Sequence, residues 1–120
     1  MSKQGPSTPP MLATTADLDA ALAAPGPFLL FKHSTTCPIS AAAYDEYLAF
    51  RERDPALRTA VVRVIEERPV SNHATAVLGI RHESPQALLT VNGAVVWNAS
   101  HRAITADALA RAATAARGKG

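Results

Sequence analysis

Cysteine is scarce in this chain of 120 residues: Cys37 is the only one. A disulfide within the chain and a multi-cysteine zinc site are therefore both excluded, and no metal site is expected. Aromatic residues make up only 5% of the chain. No basic run interleaves with them, and a net charge of +2 is too small and too scattered to argue for nucleic acid. No apolar run approaches the roughly 20 residues that would cross a bilayer, and the opening residues lack a charged start followed by an apolar segment. These absences predict a cytoplasmic protein with neither membrane nor nucleic acid among its partners. What remains, 48% hydrophobic and 18% charged residues, is the balance of an ordinary globular domain.

Punctuation by proline and glycine divides the chain. Residues 1–12, with Gly5, Pro6, Pro9 and Pro10 among small polar residues, read as a disordered tail. Thr14 or Thr15 then caps a helix with Asp17 and Asp19 in its first turn, ended by Pro25-Gly26-Pro27. Phe28 to Phe31 is a short buried strand. A helix follows Cys37 and continues through the good helix formers Ala41 to Phe50, and along it Ile39, Ala43, Tyr47 and Phe50 recur at near-helical spacing as core residues. Asp54-Pro55 stops it, and Ala60 to Ile65 is β-branched and almost continuous, as a strand covered on both faces should be. After Pro69, Ser71 or Asn72 caps a short helix closed by Gly79. Gln86–Val91 and Ala94–Trp97 flank Asn92-Gly93, a type I′ hairpin signal. A last helix starts near Thr105 with Leu109, Ala112 and Ala113 on its inner face, and residues 117–120 fray.

Within that order the thiol holds a particular place. Cys37 falls where the first strand gives way to a helix, and Pro38 suits the helix's first turn, where its missing N–H has no partner to lose. Cys37 is thus the expected N-cap, where free backbone N–H groups and the helix dipole favour a thiolate. One helical turn on, where a dithiol protein carries its resolving cysteine, stands Ser40. Serine forms no disulfide, so release of Cys37 must come from a thiol on another molecule. Ser40 either donates a hydrogen bond to the thiolate or is simply a polar residue of the first turn. A charged His33 close by would favour the thiolate further; packing at a strand end is its other reading.

A parallel strand-helix-strand crossover, a connecting helix, an antiparallel hairpin and a final helix describe the thioredoxin fold: α/β, a mixed four-stranded sheet flanked by helices, with the first thioredoxin strand absent and the domain spanning 13–116. The run His33-Ser34-Thr35-Thr36-Cys37-Pro38-Ile39-Ser40 resembles the Thr-Cys-Pro-Ile-Ser signature of the monothiol bacilliredoxins, the bacillithiol-linked YtxJ family. The likeness extends to Arg81-His82-Glu83-Ser84-Pro85-Gln86, to Asn92-Gly93 with Val95-Val96-Trp97, and to Ser100-His101, over roughly Thr14 to Ala113. It implies a thiol-disulfide oxidoreductase, with no bound cofactor, that removes bacillithiol from mixed disulfides on cytosolic proteins. Cys37 would be the nucleophile, Thr36, Pro38, Ser40 and His33 would form its surroundings, and bacillithiol or a partner redoxin or reductase would regenerate it. In the related folds a cis-proline faces the thiol, which predicts a cis Ser84–Pro85 bond with the Ser84 backbone open to an incoming cysteinyl segment. His101, with Arg102 and Lys32, would meet the malate carboxylates of bacillithiol or else be plain surface charge. Two other functions suit a lone cysteine: iron–sulfur cluster binding of the monothiol-glutaredoxin type, and a non-catalytic redox sensor.

Overall fold

The computed structural model describes residues 8–118. The first helix, α1 (Thr15–Ala23), opens with a reciprocal cap: Thr14 Oγ1 accepts the Asp17 N–H, and the Asp17 carboxylate accepts the Thr14 N–H. Strand β1 (Pro27–His33) is the centre of the molecule, paired parallel to β2 (Arg58–Arg63) and antiparallel to β3 (Gln86–Val91). Between β1 and β2 runs α2 (Pro38–Arg53), and between β2 and β3 runs α3 (Arg68–Leu78). Strand β4 (Ala94–Ser100) closes the hairpin with β3, and a 3-10 turn at His101–Ala103 leads into α4 (Ala106–Arg117). The sheet order is β2-β1-β3-β4.

Alternation along β1 sorts the core into two layers. Leu29 and Phe31 face α2 and α4, joining Tyr47, Phe50, Leu89 and Leu109. Phe28 and Leu30 face α1 and α3, joining Leu18, Val62, Val70 and Ala74. Being covered on both sides explains why β1, β2 and β3 read as continuous apolar runs, whereas the edge strand β4 alternates half-buried with exposed positions along most of its length. At the hairpin, Asn92 and Gly93 take φ of 52° and 84°. Both are left-handed, as a type I′ turn demands.

Several boundaries differ from the sequence reading. The expected tail over 1–12 does not hold for its last residues: Val61 N–H donates to Pro10 O at 2.8 Å, Leu12 N–H donates to Val61 O at 2.9 Å, and Leu12 is buried. Met11 forms a parallel bridge to Val61 on the outer edge of β2. A lone bridge thus occupies the edge where a further strand would pair. Residues 1–7 and 119–120 lie outside the described residues. At the other end, the fraying expected from residue 117 meets an ordered Arg117, which is the last residue of α4 and holds Asp54. Helix α3 starts before the expected Ser71 or Asn72, because Pro69 sits within its first turn, where proline is tolerated, and Glu67 takes the N-cap position.

Candidate active site

The polypeptide leaves β1 at His33, turns through Ser34 to Cys37 and enters α2 at Pro38. Cys37 N–H donates to Ser34 O at 3.3 Å, which closes the turn. Cys37 is the N-cap residue, extended at φ −104°, ψ 125°, and its side chain makes no capping bond. The first intrahelical bond is Ala41 N–H to Cys37 O at 3.0 Å. Ile39 and Ser40 therefore present first-turn N–H groups with no helical partner, at the positive end of a 16-residue helix. Cys37 is half-buried and sits at the end of the helix that attracts an anion.

Among the described residues Ser40 makes no hydrogen bond to the sulfur. Its fully buried Oγ lies 2.9 Å from the Ser34 N–H, which it accepts, and 2.8 Å from His33 Nδ1. The His33 ring stacks on Tyr44, centroids 4.6 Å apart. Burial pushes the His33 pKa down, opposed in part by the Glu66 carboxylate, so the imidazole is neutral at physiological pH. Desolvation thus works against the charged His33 considered from sequence and outweighs the attraction of Glu66. Thr36 and Pro38 are both exposed, at the lip of the turn.

Across the sheet, Lys32 pairs with Gln86, so the loop leading into β3 lies beside the loop leaving β1. That loop contains the cis Ser84–Pro85 bond. Its Ser84 hydroxyl oxygen is buried without a hydrogen-bond partner. His101 N–H donates to Pro85 O at 3.1 Å, tying the segment after β4 to the same edge. The His101 backbone is left-handed, φ 54°, and its exposed imidazole reaches to 4.0 Å from the Glu83 carboxylate. Thus the loops carrying Cys37, Pro85 and His101 converge at one end of the sheet. Between the start of α2 and the start of α4 they leave a cleft of about 390 Å³, lined by Pro38, Ile39, Ala42, Arg102, Ile104 and Thr105 among others.

Lys32 is not part of this edge. It is fully buried on the opposite face of β1 from His33, with Nζ 3.1 Å from Thr75 Oγ1 and 3.0 Å from His82 Nδ1. Burial lowers its pKa to about 8. The expectation that Lys32 joins His101 and Arg102 is corrected by the period-two alternation of β1, which puts Lys32 with Phe28 and Leu30. Sequence reasoning missed the Ser40–His33 bond, the Glu83–His101 contact and the cleft. None had a local signal, since each joins residues from different elements. Among the described residues no group of three or more His, Cys, Asp or Glu side chains could hold a metal ion.

Fold and site together define a thioredoxin-fold protein with a single thiol at the first strand-to-helix turn. A family model described as monothiol bacilliredoxin BrxC matches residues 11–109, and the chain belongs to that family. It is similar to a solved thioredoxin-fold structure, at 36% identity and TM-score 0.79 over 86% of this chain and 91% of the other. Thioredoxin from Fasciola hepatica, at 16% identity and TM-score 0.72 over 89% and 98% of the two chains, shares the fold. So does a mutant thioredoxin from Halobacterium salinarum, at 18% identity and TM-score 0.73 over 97% and 96%.

Proposed function

We propose that this protein removes bacillithiol from mixed disulfides on cytoplasmic proteins by monothiol exchange at Cys37. The observation that carries the reading is the occupant of the first helical turn: Cys37 at the N-cap is followed at the resolving position by a buried serine that is bonded elsewhere. Membership of the monothiol bacilliredoxin family supports the choice of small thiol.

The Cys37 thiolate attacks the bacillithiol sulfur of the mixed disulfide. A new S–S bond forms, the old one breaks, and the client's sulfur leaves as a thiolate that takes a proton from water. A second thiol, from free bacillithiol or a partner redoxin, then attacks the bacillithiol sulfur held on Cys37. Cys37 departs as a thiolate, and the two-electron reduction of the client has been supplied by external thiols. The unpartnered first-turn N–H groups stabilise the sulfur anion both as nucleophile and as leaving group. Ser84, beside Pro85, is the backbone against which the substrate's cysteinyl segment lies, with Thr36 and Pro38 at the lip of the site. His101 and the Arg102 guanidinium at the neighbouring cleft receive the malate carboxylates of bacillithiol.

Catalytic amounts of the protein, with excess bacillithiol and a bacillithiolated client, should release many equivalents of client thiol. Cys37→Ala should release none above background. Equal release by the two would remove the reading, and a single modification of Cys37 without turnover would make the protein a sensor.

A further inference from the structure

The polar contacts under the cysteine turn run to the turn's backbone and to an imidazole, not to the sulfur. Ser40 Oγ is buried, accepts the Ser34 N–H at 2.9 Å, and has His33 Nδ1 at 2.8 Å. Among the described residues no hydrogen bond links Ser40 with Cys37 Sγ. A buried hydroxyl hydrogen needs an acceptor, and Nδ1 is the acceptor within reach. His33 Nδ1 then carries no hydrogen, which agrees with an imidazole kept neutral by burial. The ring itself is fixed by stacking on Tyr44 from α2 and by its contact with Phe31 from β1.

We propose that Ser40 and His33 are positioning residues which clasp the Cys37 turn: the Ser40 hydroxyl donates to His33 Nδ1, accepts from Ser34 N–H, and so holds residues 34–37 in the conformation that sets the thiol on the helix N-terminus. The chain of bonds is continuous. His33 orients the Ser40 hydroxyl, Ser40 holds the Ser34 amide, and Ser34 O accepts the Cys37 N–H at 3.3 Å. Both ends of the seven-residue stretch from Ser34 to Ser40 are thereby tied across the cysteine. Protonation of His33 would place a hydrogen on Nδ1, leave the Ser40 hydroxyl hydrogen without an acceptor, and loosen the turn. The ionisable groups around the imidazole are Tyr44 on α2, Glu66 beyond β2, and Arg63 opposite it on β2, whose guanidinium is held by Glu67. Of these, the Glu66 carboxylate is the one that pulls towards the protonated form, and burial outweighs it.

This inference deepens the monothiol reading, because it concerns the same thiol, but its test needs no bacillithiol. The measurement is the rate of Cys37 alkylation by iodoacetamide as a function of pH, for the wild type, Ser40→Ala, His33→Ala and His33→Asn. One lost hydrogen bond corresponds to a factor of about two to ten. Ser40→Ala and His33→Ala should be slower than wild type by about that factor at neutral pH. His33→Asn, whose side-chain oxygen falls near the place of Nδ1, should recover most of the loss suffered by His33→Ala. On the acid side the wild-type rate should fall more steeply than one ionisation allows, since both the thiol and His33 gain protons. In His33→Asn it should follow one ionisation. If Ser40→Ala does not fold, the two His33 variants decide alone. Equal rates for His33→Ala and His33→Asn, or unchanged steepness in His33→Asn, would overturn the clasp. Debacillithiolation can fail while the clasp stands, and the reverse, so the two results are separable.

Discussion

The most unusual residue in the molecule is not the cysteine but Lys32, an ammonium sealed between β1 and α3. Its partners, Thr75 and His82, accept at 3.1 and 3.0 Å, but neither carries a negative charge. A buried cation with no counter-ion among its described partners is held at a loss, and its burial lowers the pKa to about 8. Because the folded protein releases this proton more readily than the unfolded chain does, the unfolded state binds more protons between pH 8 and 10.5, and stability should rise with pH across that window. Chemical denaturation should show Lys32→Met to be more stable at neutral pH, on the order of 1 kcal/mol, with the gap closing as the pH climbs past 8. A less stable Lys32→Met would mean that the lysine's hydrogen bonds outweigh its desolvation. At this scale the sequence was partly legible. Cys37, Pro38 and Ser40 could be placed on a strand-to-helix turn because proline and alanine announce that turn locally. The partner of Ser40 could not, since His33 approaches it only when the turn closes, and the destination of Lys32 required knowing that both faces of β1 are covered.

At the scale of elements, the caps and turns carry most of the local information. Thr14 with Asp17 is a capping box, and Thr105 likewise accepts the Ala108 N–H at 3.1 Å. Thr14→Ala should lower stability by about 1 kcal/mol and leave alkylation of Cys37 unaltered, as α1 lies on the face away from the thiol. A change in Cys37 reactivity would tie α1 to the site. Gly93 has two reasons to be glycine: φ is 84°, and a Cβ would stand 3.2 Å from the Leu22 carbonyl oxygen. Gly93→Ala should therefore destabilise by more than about 1 kcal/mol, the sum of a backbone penalty and a displaced neighbour. These elements were readable in advance, and so were the order of strands and helices and the core stripe of Ala43, Tyr47 and Phe50. The start of α3 was not, because a proline marks a boundary without saying on which side of it the helix begins. Met11 and Leu12 were assigned to a tail because their order comes from β2, far away in the chain, and not from their own composition.

At the scale of the whole molecule, the end of the sheet that carries Cys37 lies opposite the contacts that tie the ends of α2 and α4 together. The two long helices on the Cys37 side are joined far from the thiol by Arg117 and Asp54, both carboxylate oxygens at 2.7 Å from guanidinium nitrogens. Arg117 holds the Asp54 pKa below its ordinary value. A depressed carboxylate pKa contributes stability above the unfolded value and loses it as the pH falls through the folded one. Asp54→Asn should cost about 0.5–1 kcal/mol at neutral pH, a discounted value because the pair is partly solvated, and the difference should vanish in acid. Persistence of the gap in acid would assign the effect to packing.

In the proposed cycle Cys37 takes the small thiol from its client and waits for another molecule to remove it. Intact-mass spectrometry, after stoichiometric mixing with a bacillithiolated protein and no other thiol, tests this most directly. One bacillithiol should appear on the wild type as it leaves the client, none should move to Cys37→Ala, and added bacillithiol should return the wild type to its starting mass. A client that keeps its bacillithiol while Cys37 stays unmodified would contradict the account.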